Sequence, residues 1–162
     1  MRTGVGYDSH RFDETRPLVL GGVEIPDAPG LKGHSDGDAV AHAITDAVLG
    51  AAGLGDIGAL FPDTDPAYAG ADSIELLASA VRRLRERGFR VVNVDATVVA
   101  ERPRILPHTA AMRERLGEAL GTGATGVSIK GKSNEGMGWI GRGEGLAAIA
   151  VATVAPAAGD GD

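Results

Sequence analysis

Near the end of the chain, positions 146–154 read Leu-Ala-Ala-Ile-Ala-Val-Ala-Thr-Val, a run whose only polar side chain is Thr153. It is far too short to span a bilayer, and its Ala, Val and Ile content reads as a strand covered on both faces. The rest of the chain must therefore be arranged around that strand. What can cover it is limited, because the 162 residues hold 25 Gly but only one Trp, two Tyr and three Phe. A core of Ala, Val, Leu and Gly buries little area per side chain, so an oligomer is expected to bury the remainder. The 43% hydrophobic and 23% charged content still belongs to a globular chain rather than a disordered one, and the length suits one domain.

The pattern upstream supplies the partners of that strand. Positions 3–12 alternate like a strand, and 18–25 around Gly21-Gly22 predict a hairpin, giving two or three strands first. Asp38, within Ser35-Asp36-Gly37-Asp38, offers N-cap chemistry for a helix over 39–53 whose apolar stripe is Val40, Ala43, Ile44, Ala47 and Val48. A second helix is framed by the capping-box pair Asp72 and Glu75 and by Gly88, with an arginine-rich outer face that reads as solvated. Positions 89–100 alternate, with Val92, Val94, Ala96 and Val98 expected on the buried face. A third helix is expected over 107–120 and a short strand over 127–130. The order predicts an α+β fold, a two-layer sandwich with a mixed sheet and helices on one face, the sheets packing around a trimer axis. Residues 1–155 are expected to form the single domain and 156–162 a disordered tail.

A formal charge of −6 gives no footprint for nucleic acid, and the chain has no cysteine, so disulfides, Cys-type zinc fingers and thiol nucleophiles are excluded. Any metal must be held by His, Asp or Glu. The N-terminus lacks the apolar stretch of a signal peptide and no run is long enough for a membrane helix, so the expected location is cytoplasmic.

Two phosphate-binding patterns are present in the wrong context. Gly126-Val-Ser-Ile-Lys-Gly131-Lys132-Ser133 fits G-x-x-x-x-G-K-[ST], but its middle alternates like a strand and the following segment carries five glycines where a long helix should open. Gly136-Met-Gly138-Trp-Ile-Gly141 fits G-x-G-x-x-G, yet only the chain's tail remains where a Rossmann unit needs a helix and an acidic residue. Glycine-rich backbone with Lys132, Ser133 and Arg142 still has the donors to touch a phosphate.

Three of the four histidines, His10, His34 and His42, fall within the first 42 residues. On a strand, Asp8 and His10 point to the same face, which makes D-x-H a ready ligand pair. His42 sits on the first helix with Asp38 and Asp46 four residues to either side, each able to orient its imidazole. Folding the helix onto the first strand completes an Asp/His/His set suited to Zn²⁺ with an open fourth position. The same residues are equally satisfied as a strand histidine and a helix-face histidine bonded to their neighbours, and spacing leaves both open. The Gly/Pro/Asp-rich stretch 55–66 is likewise either a sugar or polyol site or a connection capped by Asp and Gly.

Taken together, Asp8-Ser9-His10, His34-Ser35-Asp36-Gly37-Asp38, the His42 helix, Gly55-Asp56-Ile57-Gly58, Phe61-Pro62-Asp63-Thr64-Asp65 and Gly141-Arg142-Gly143-Glu144-Gly145 resemble, in order and over nearly the whole chain, the 2-C-methyl-D-erythritol 2,4-cyclodiphosphate synthase family. The resemblance implies a homotrimer with active sites between subunits. It also implies a lyase of non-mevalonate isoprenoid biosynthesis that converts 4-diphosphocytidyl-2-C-methyl-D-erythritol 2-phosphate to the cyclic diphosphate and CMP. It assigns Asp8, His10 and His42 to Zn²⁺ and Glu135 to a Mg²⁺ or Mn²⁺ held mainly by the substrate diphosphate. His34 and Ser35 would hold phosphate or the methylerythritol part, Asp56 would bind sugar hydroxyls beside Ile57 and Gly58, and Phe61, Pro62, Asp63, Thr64 and Asp65 would line the site. Ala100, Pro103, Arg104, Ile105 and Leu106 would read cytosine and the nucleotide phosphates, with Arg104 where Lys is common. Gly131-Lys132-Ser133-Asn134 departs from the usual Ala-Thr-Thr-Thr, with Ser133 keeping a hydroxyl, Lys132 adding a cation and Asn134 beside them. Trp139 stands where Phe is common, as a pocket wall or an interface anchor.

The implied reaction suits this inventory. A phosphate monoester has its second pKa at about 6, so the 2-phosphate oxygen needs no general base to attack the β-phosphorus. Charge neutralisation and alignment are required instead, with His34 and Ser133 expected at the transition state. Two other readings are a trimeric protein binding an isoprenoid diphosphate on its axis through Arg142 and a zinc phosphohydrolase using metal-bound water. At this length no additional cytidylyltransferase domain is expected.

Overall fold

The computed structural model describes residues 1–157. Its centre is the apolar strand, β5 (Gly145–Pro156), which lies between β1 (Arg2–Leu20) and β3 (Phe89–Val99) and runs antiparallel to both. β2 (Val23–Leu31) extends the sheet beyond β1 and β4 (Val127–Lys132) extends it beyond β3, giving the order β2-β1-β5-β3-β4. The β3–β4 pair alone is parallel, so the sheet is mixed, as expected. One long β1 replaces the separate strands expected before the hairpin, and Gly21 and Gly22 make its turn at φ of 59° and 73°.

α1 (Ala39–Ala52), capped by Asp38, lies across the sheet opposite β1 and β5. It approaches closely because Gly4 and Gly6 face it. A Cβ at Gly6 would sit 1.9 Å from the Ala43 carbonyl oxygen, and one at Gly4 2.1 Å from that of Ala47. By strand alternation Asp8 and His10 continue the row begun by Gly4 and Gly6, so they point toward the same helix. The short α2 (Ile57–Leu60) follows, then α3 (Ser73–Glu86), whose cap Asp72 accepts from the Ile74 N–H. α4 (Thr109–Leu120) begins after a 3₁₀ turn, Leu106–His108, slightly later than the expected helix, and a four-residue α5 (Gly138–Gly141) precedes β5.

Two expectations need correction, and a third, the covering of β5 on both faces, is met only in part within the single chain. Val91 rather than Val92 is buried in β3, because the irregular pairing between Val91 and Asn93 shifts the phase of the alternation. β5 is covered on one face only within the chain. On the other face Val5 (67% exposed) pairs with Val151 (38%) and Tyr7 (54%) with Ile149 (43%), so an apolar stripe is left open. Finally, Pro156 belongs to β5 and the Ala157 N–H donates to the Gly88 carbonyl, so the expected tail does not begin at 156. Its remainder, residues 158–162, lies outside the described residues.

Neither phosphate-loop pattern has the structure it needs. Positions 127–132 are a strand with no long helix after it, and the second pattern ends in a single helical turn.

Candidate active site

Where β1 passes under the start of α1, Asp8, His10 and His42 meet, their ligand atoms all within 4.8 Å of one another. Asp8 Oδ2 lies 2.7 Å from His10 Nε2 and 3.0 Å from His42 Nδ1. The outer nitrogens decide what those contacts are. His10 Nδ1 lies 2.6 Å from the Lys32 carbonyl, which can only accept, so Nδ1 carries a proton. His42 Nε2 lies 2.8 Å from Ser73 Oγ, whose own proton goes to Asp36, so Nε2 is the donor there too. In the neutral rings, a lone pair from each imidazole therefore converges with a carboxylate oxygen. Such a set repels itself unless a proton or a cation sits among the three atoms, and one carboxylate with two imidazoles is a donor set that fits Zn²⁺ or a similar divalent ion. Burial works against both charges, but hydrogen bonds and charge attraction from His10 and His42 prevail at Asp8 and hold its carboxyl below the ordinary range. Asp8 and the Lys32 carbonyl raise His10 above its ordinary value.

Neither carboxylate expected to orient His42 does so. Asp38 is wholly buried at the helix cap, accepting from the N–H groups of Gly21, Gly22, Val40 and Ala41. Burial nonetheless raises its pKa to about 6. Asp46 is turned to the Ile57 N–H at 2.7 Å and is raised chiefly by burial. Ser73 and Ser35 take the orienting place, Ser35 Oγ at 3.1 Å. Ser73 is 31 positions away and on another helix, so no local spacing announces it.

Beside this centre a cavity of about 430 Å³ is lined by His10, Gly33, His34, Ser35, His42, Ile57, Gly58, Phe61, Asp63, Tyr68 and Leu76. The structure thus gathers most of the first group of expected site residues into one hollow, and it adds Tyr68 and Leu76, which no motif marked. Phe61 and Tyr68 meet edge to face at 5.3 Å between centroids. Asp56 and Asp65 cap the short turns instead, accepting from Ala59 N–H (2.8 Å) and Ala67 N–H (2.9 Å), and Pro62 and Thr64 are exposed between them.

The second group lies in a separate hollow of about 630 Å³, lined by Ala100, Glu101, Pro103, Arg104, Ile105, Leu106, Thr109 and residues 129–133. Gly131 lets this wall close up, since a Cβ there would come within 3.0 Å of Ile105 Cβ. Lys132 and Ser133 are exposed at its edge, and Ser133 Oγ donates to Glu135 Oε1 at 3.1 Å. Glu135 is not brought to the Asp8 cluster. Asn134 is tied down by Glu101, whose carboxylate accepts from the N–H groups of Asn134 and Gly136. Trp139 borders a smaller hollow with Ser9, His10, Arg11 and Glu144, and Arg142 is paired with Glu144 at 2.7 Å.

A mixed-sheet α+β chain with a carboxylate and two imidazoles converging beside one hollow, and a second hollow rimmed by cations, has the makings of a metal-dependent enzyme for a phosphorylated substrate. Residues 1–155 match the model of the YgbB family. Curated relatives called 2-C-methyl-D-erythritol 2,4-cyclodiphosphate synthase include that of Gemmatimonas aurantiaca, 60% identical over 95% of this chain and 93% of its own length. That of Symbiobacterium thermophilum is 61% identical over 96% and 99%. A solved 2C-methyl-D-erythritol-2,4-cyclodiphosphate synthase in its CDP-bound form superposes with a TM-score of 0.86 at 40% identity, over 95% of this chain and all of that one. The chain belongs to the YgbB family of cyclodiphosphate synthases.

Proposed function

We propose that the two hollows are the two ends of one active site for cyclodiphosphate closure. The chain is a lyase of isoprenoid biosynthesis by its family. Its substrate is 4-diphosphocytidyl-2-C-methyl-D-erythritol 2-phosphate. An oxygen of the 2-phosphate bonds to the β-phosphorus, the bond from that phosphorus to the α-phosphate oxygen breaks, and CMP leaves with the electron pair. The observation that carries this reading is the convergence of Asp8 Oδ2, His10 Nε2 and His42 Nδ1, each outer imidazole nitrogen already committed as a donor, beside a hollow rimmed by His34 and Asp63.

Asp8, His10 and His42 would hold Zn²⁺ and Glu135 would hold Mg²⁺ or Mn²⁺, and the positive charge of these ions would offset the repulsion between the two phosphates and the charge on the leaving phosphate. His34 and Ser35 hold the phosphate over the triad, and His34 donates to charge that grows on the β-phosphoryl oxygens. Asp56, with the backbone at Ile57 and Gly58, accepts from the methylerythritol hydroxyls, while residues 61–65 close over them. Backbone at 100–106 reads cytosine, and Arg104, Lys132 and Ser133 meet the α-phosphate that leaves. No general base is needed, so what these residues contribute is alignment and excluded water.

The open stripe of Val5, Tyr7, Ile149 and Val151 supports a homotrimer, in which the cytidine hollow of one subunit completes the metal hollow of its neighbour. Residues 1–155 act as the one domain, in the cytoplasm. No helix among the described residues is long and apolar enough to cross a membrane. Phosphorus NMR of the product is the decisive experiment: a cyclic diphosphate with one CMP per turnover is expected, and linear phosphates would instead make this a zinc phosphohydrolase.

A further inference from the structure

We infer that Ser73 and Asp36 are positioning residues for the metal centre, forming a relay that fixes the tautomer and the aim of His42. The inference rests on the reading of Asp8, His10 and His42 as metal ligands and goes beyond it. His42 can offer Nδ1 as a ligand only if its proton resides on Nε2. Nothing on α1 enforces that, since Asp38 and Asp46 are bound elsewhere. The enforcement comes from α3. Ser73 is fully buried at the first position of that helix, with its Oγ 2.8 Å from His42 Nε2. A hydroxyl can donate or accept along that line, and Asp36 decides which. Asp36 Oδ1 takes the Ser73 hydroxyl proton and the Asp38 N–H (3.1 Å), and its Oδ2 takes the Ser73 N–H at 3.0 Å. With its proton committed to a carboxylate, Ser73 Oγ can only accept, so His42 must donate and its Nδ1 lone pair must face Asp8.

The arrangement also divides two serines by task. Ser35 Oγ lies 3.1 Å from the same nitrogen, but it borders the substrate hollow and accepts the Gly37 N–H. Ser73 has no exposed surface, so a substrate cannot recruit it. The His42 donor keeps a partner on α3 even when Ser35 turns toward a phosphate. His10 has the backbone equivalent, its Nδ1 proton held by the Lys32 carbonyl. One imidazole is thus set by the β2 end and the other by the α3 end.

The test is zinc affinity of Ser73→Ala, Ser73→Thr and Asp36→Asn, measured by chelator competition, with melting curves of the metal-free proteins as the fold control. Ser73→Ala leaves the Ser73 N–H bond to Asp36 intact and is expected to weaken zinc by about 10–100-fold. Asp36→Asn should show a smaller loss, and Ser73→Thr should restore most of the affinity. Long-range ¹H–¹⁵N spectra of metal-free protein should show His42 as one Nε2–H tautomer in the parent and as a mixture in Ser73→Ala. Zinc affinity within about twofold of the parent together with an unchanged tautomer overturns the relay. His42→Ala keeps the two readings apart: if it retains zinc, the ligand assignment fails, whereas loss there with full affinity and an unchanged tautomer in Ser73→Ala sinks the relay alone.

Discussion

Around Asp8, His10 and His42 each side-chain polar atom of the triad has a partner inside the chain, down to Asp8 Oδ1 on the Ser9 N–H. Along the hollow lined by residues 100–106 and 129–133 the opposite holds: Arg104 and Lys132 are exposed at the rim, and Ser133 has only the nearby Glu135. The proposed metal end is assembled by folding, from β1, α1 and α3 together, whereas the proposed nucleotide end is an open wall within the single chain. On the proposed reading, a site divided in this way separates two functions: metal binding would need only the single chain, and turnover would need the assembly.

The strongest way to break that division is at its built end. His42→Ala removes a ligand and leaves Asp8 and His10 with a geometry too poor to hold the ion, so zinc content and turnover should vanish together. A fall in kcat/KM of at least about 1,000-fold is expected. Metal analysis and steady-state rates on the same preparation check it, and full turnover without zinc would contradict the assignment.

Next in size is a charge placed on the open sheet face. Ile149→Asp sets a carboxylate beside Tyr7 on the exposed side of β5, where it touches nothing in its own core. The expected outcome is a monomer by light scattering, turnover reduced by roughly 100-fold or more because the two half-sites no longer meet, and zinc affinity close to that of the parent. A variant that stays trimeric and active removes the stripe from the interface. One that loses zinc as well removes the division itself.

The legibility of the two ends in the sequence follows the same line. β1, α1 and β5 could be read from alternation, a capping Asp and an apolar run, because those signals are local, and D-x-H on a strand put Asp8 and His10 on one face for the same reason. Asp8, His10 and His42 were brought together as expected, but the partners of His42 were not. Asp38 and Asp46 had the right spacing along one helix, yet the N-cap and the Ile57 N–H claimed them, and Ser73 arrives from α3 through tertiary packing that no period records. The phase of β3 was misread at Val92 because a bulge costs one residue of register and leaves no mark in hydropathy. At the nucleotide end, residues 100–106 carry no periodicity, and only the resemblance pointed to them.

A milder effect sharpens the nucleotide end. Lys132→Ala should raise KM by about 10-fold, the scale of one charge-assisted contact to phosphate, while zinc affinity and melting temperature stay unchanged because the side chain is exposed and bonded to nothing among the described residues. An unchanged KM would place Lys132 outside the phosphate contacts. It would also leave Ser133 and Arg104 to meet the α-phosphate.

The last expected effect is read in stability rather than turnover and lies beneath the Asp8 cluster, at Asp38. Its four N–H donors tie the Gly21-Gly22 turn to the start of α1, yet burial still raises its pKa to about 6 from 3.8. The folded state therefore holds this proton more tightly than the unfolded chain does. The contribution of Asp38 to stability is complete below the unfolded value and is lost as pH rises through about 6, by up to roughly 3 kcal/mol for a gap of about two pH units. Asp8 runs the other way, its lowered pKa giving stability that disappears as pH falls, so the parent's melting curve mixes opposing slopes. Asp38→Asn separates them, because Asp8 and His10 titrate in both proteins and cancel in the difference. Between pH 4 and 7, in metal-free protein, the melting temperature of Asp38→Asn should gain several degrees on the parent. Parallel curves would mean that the four N–H groups fully offset the burial and that the start of α1 is held without cost.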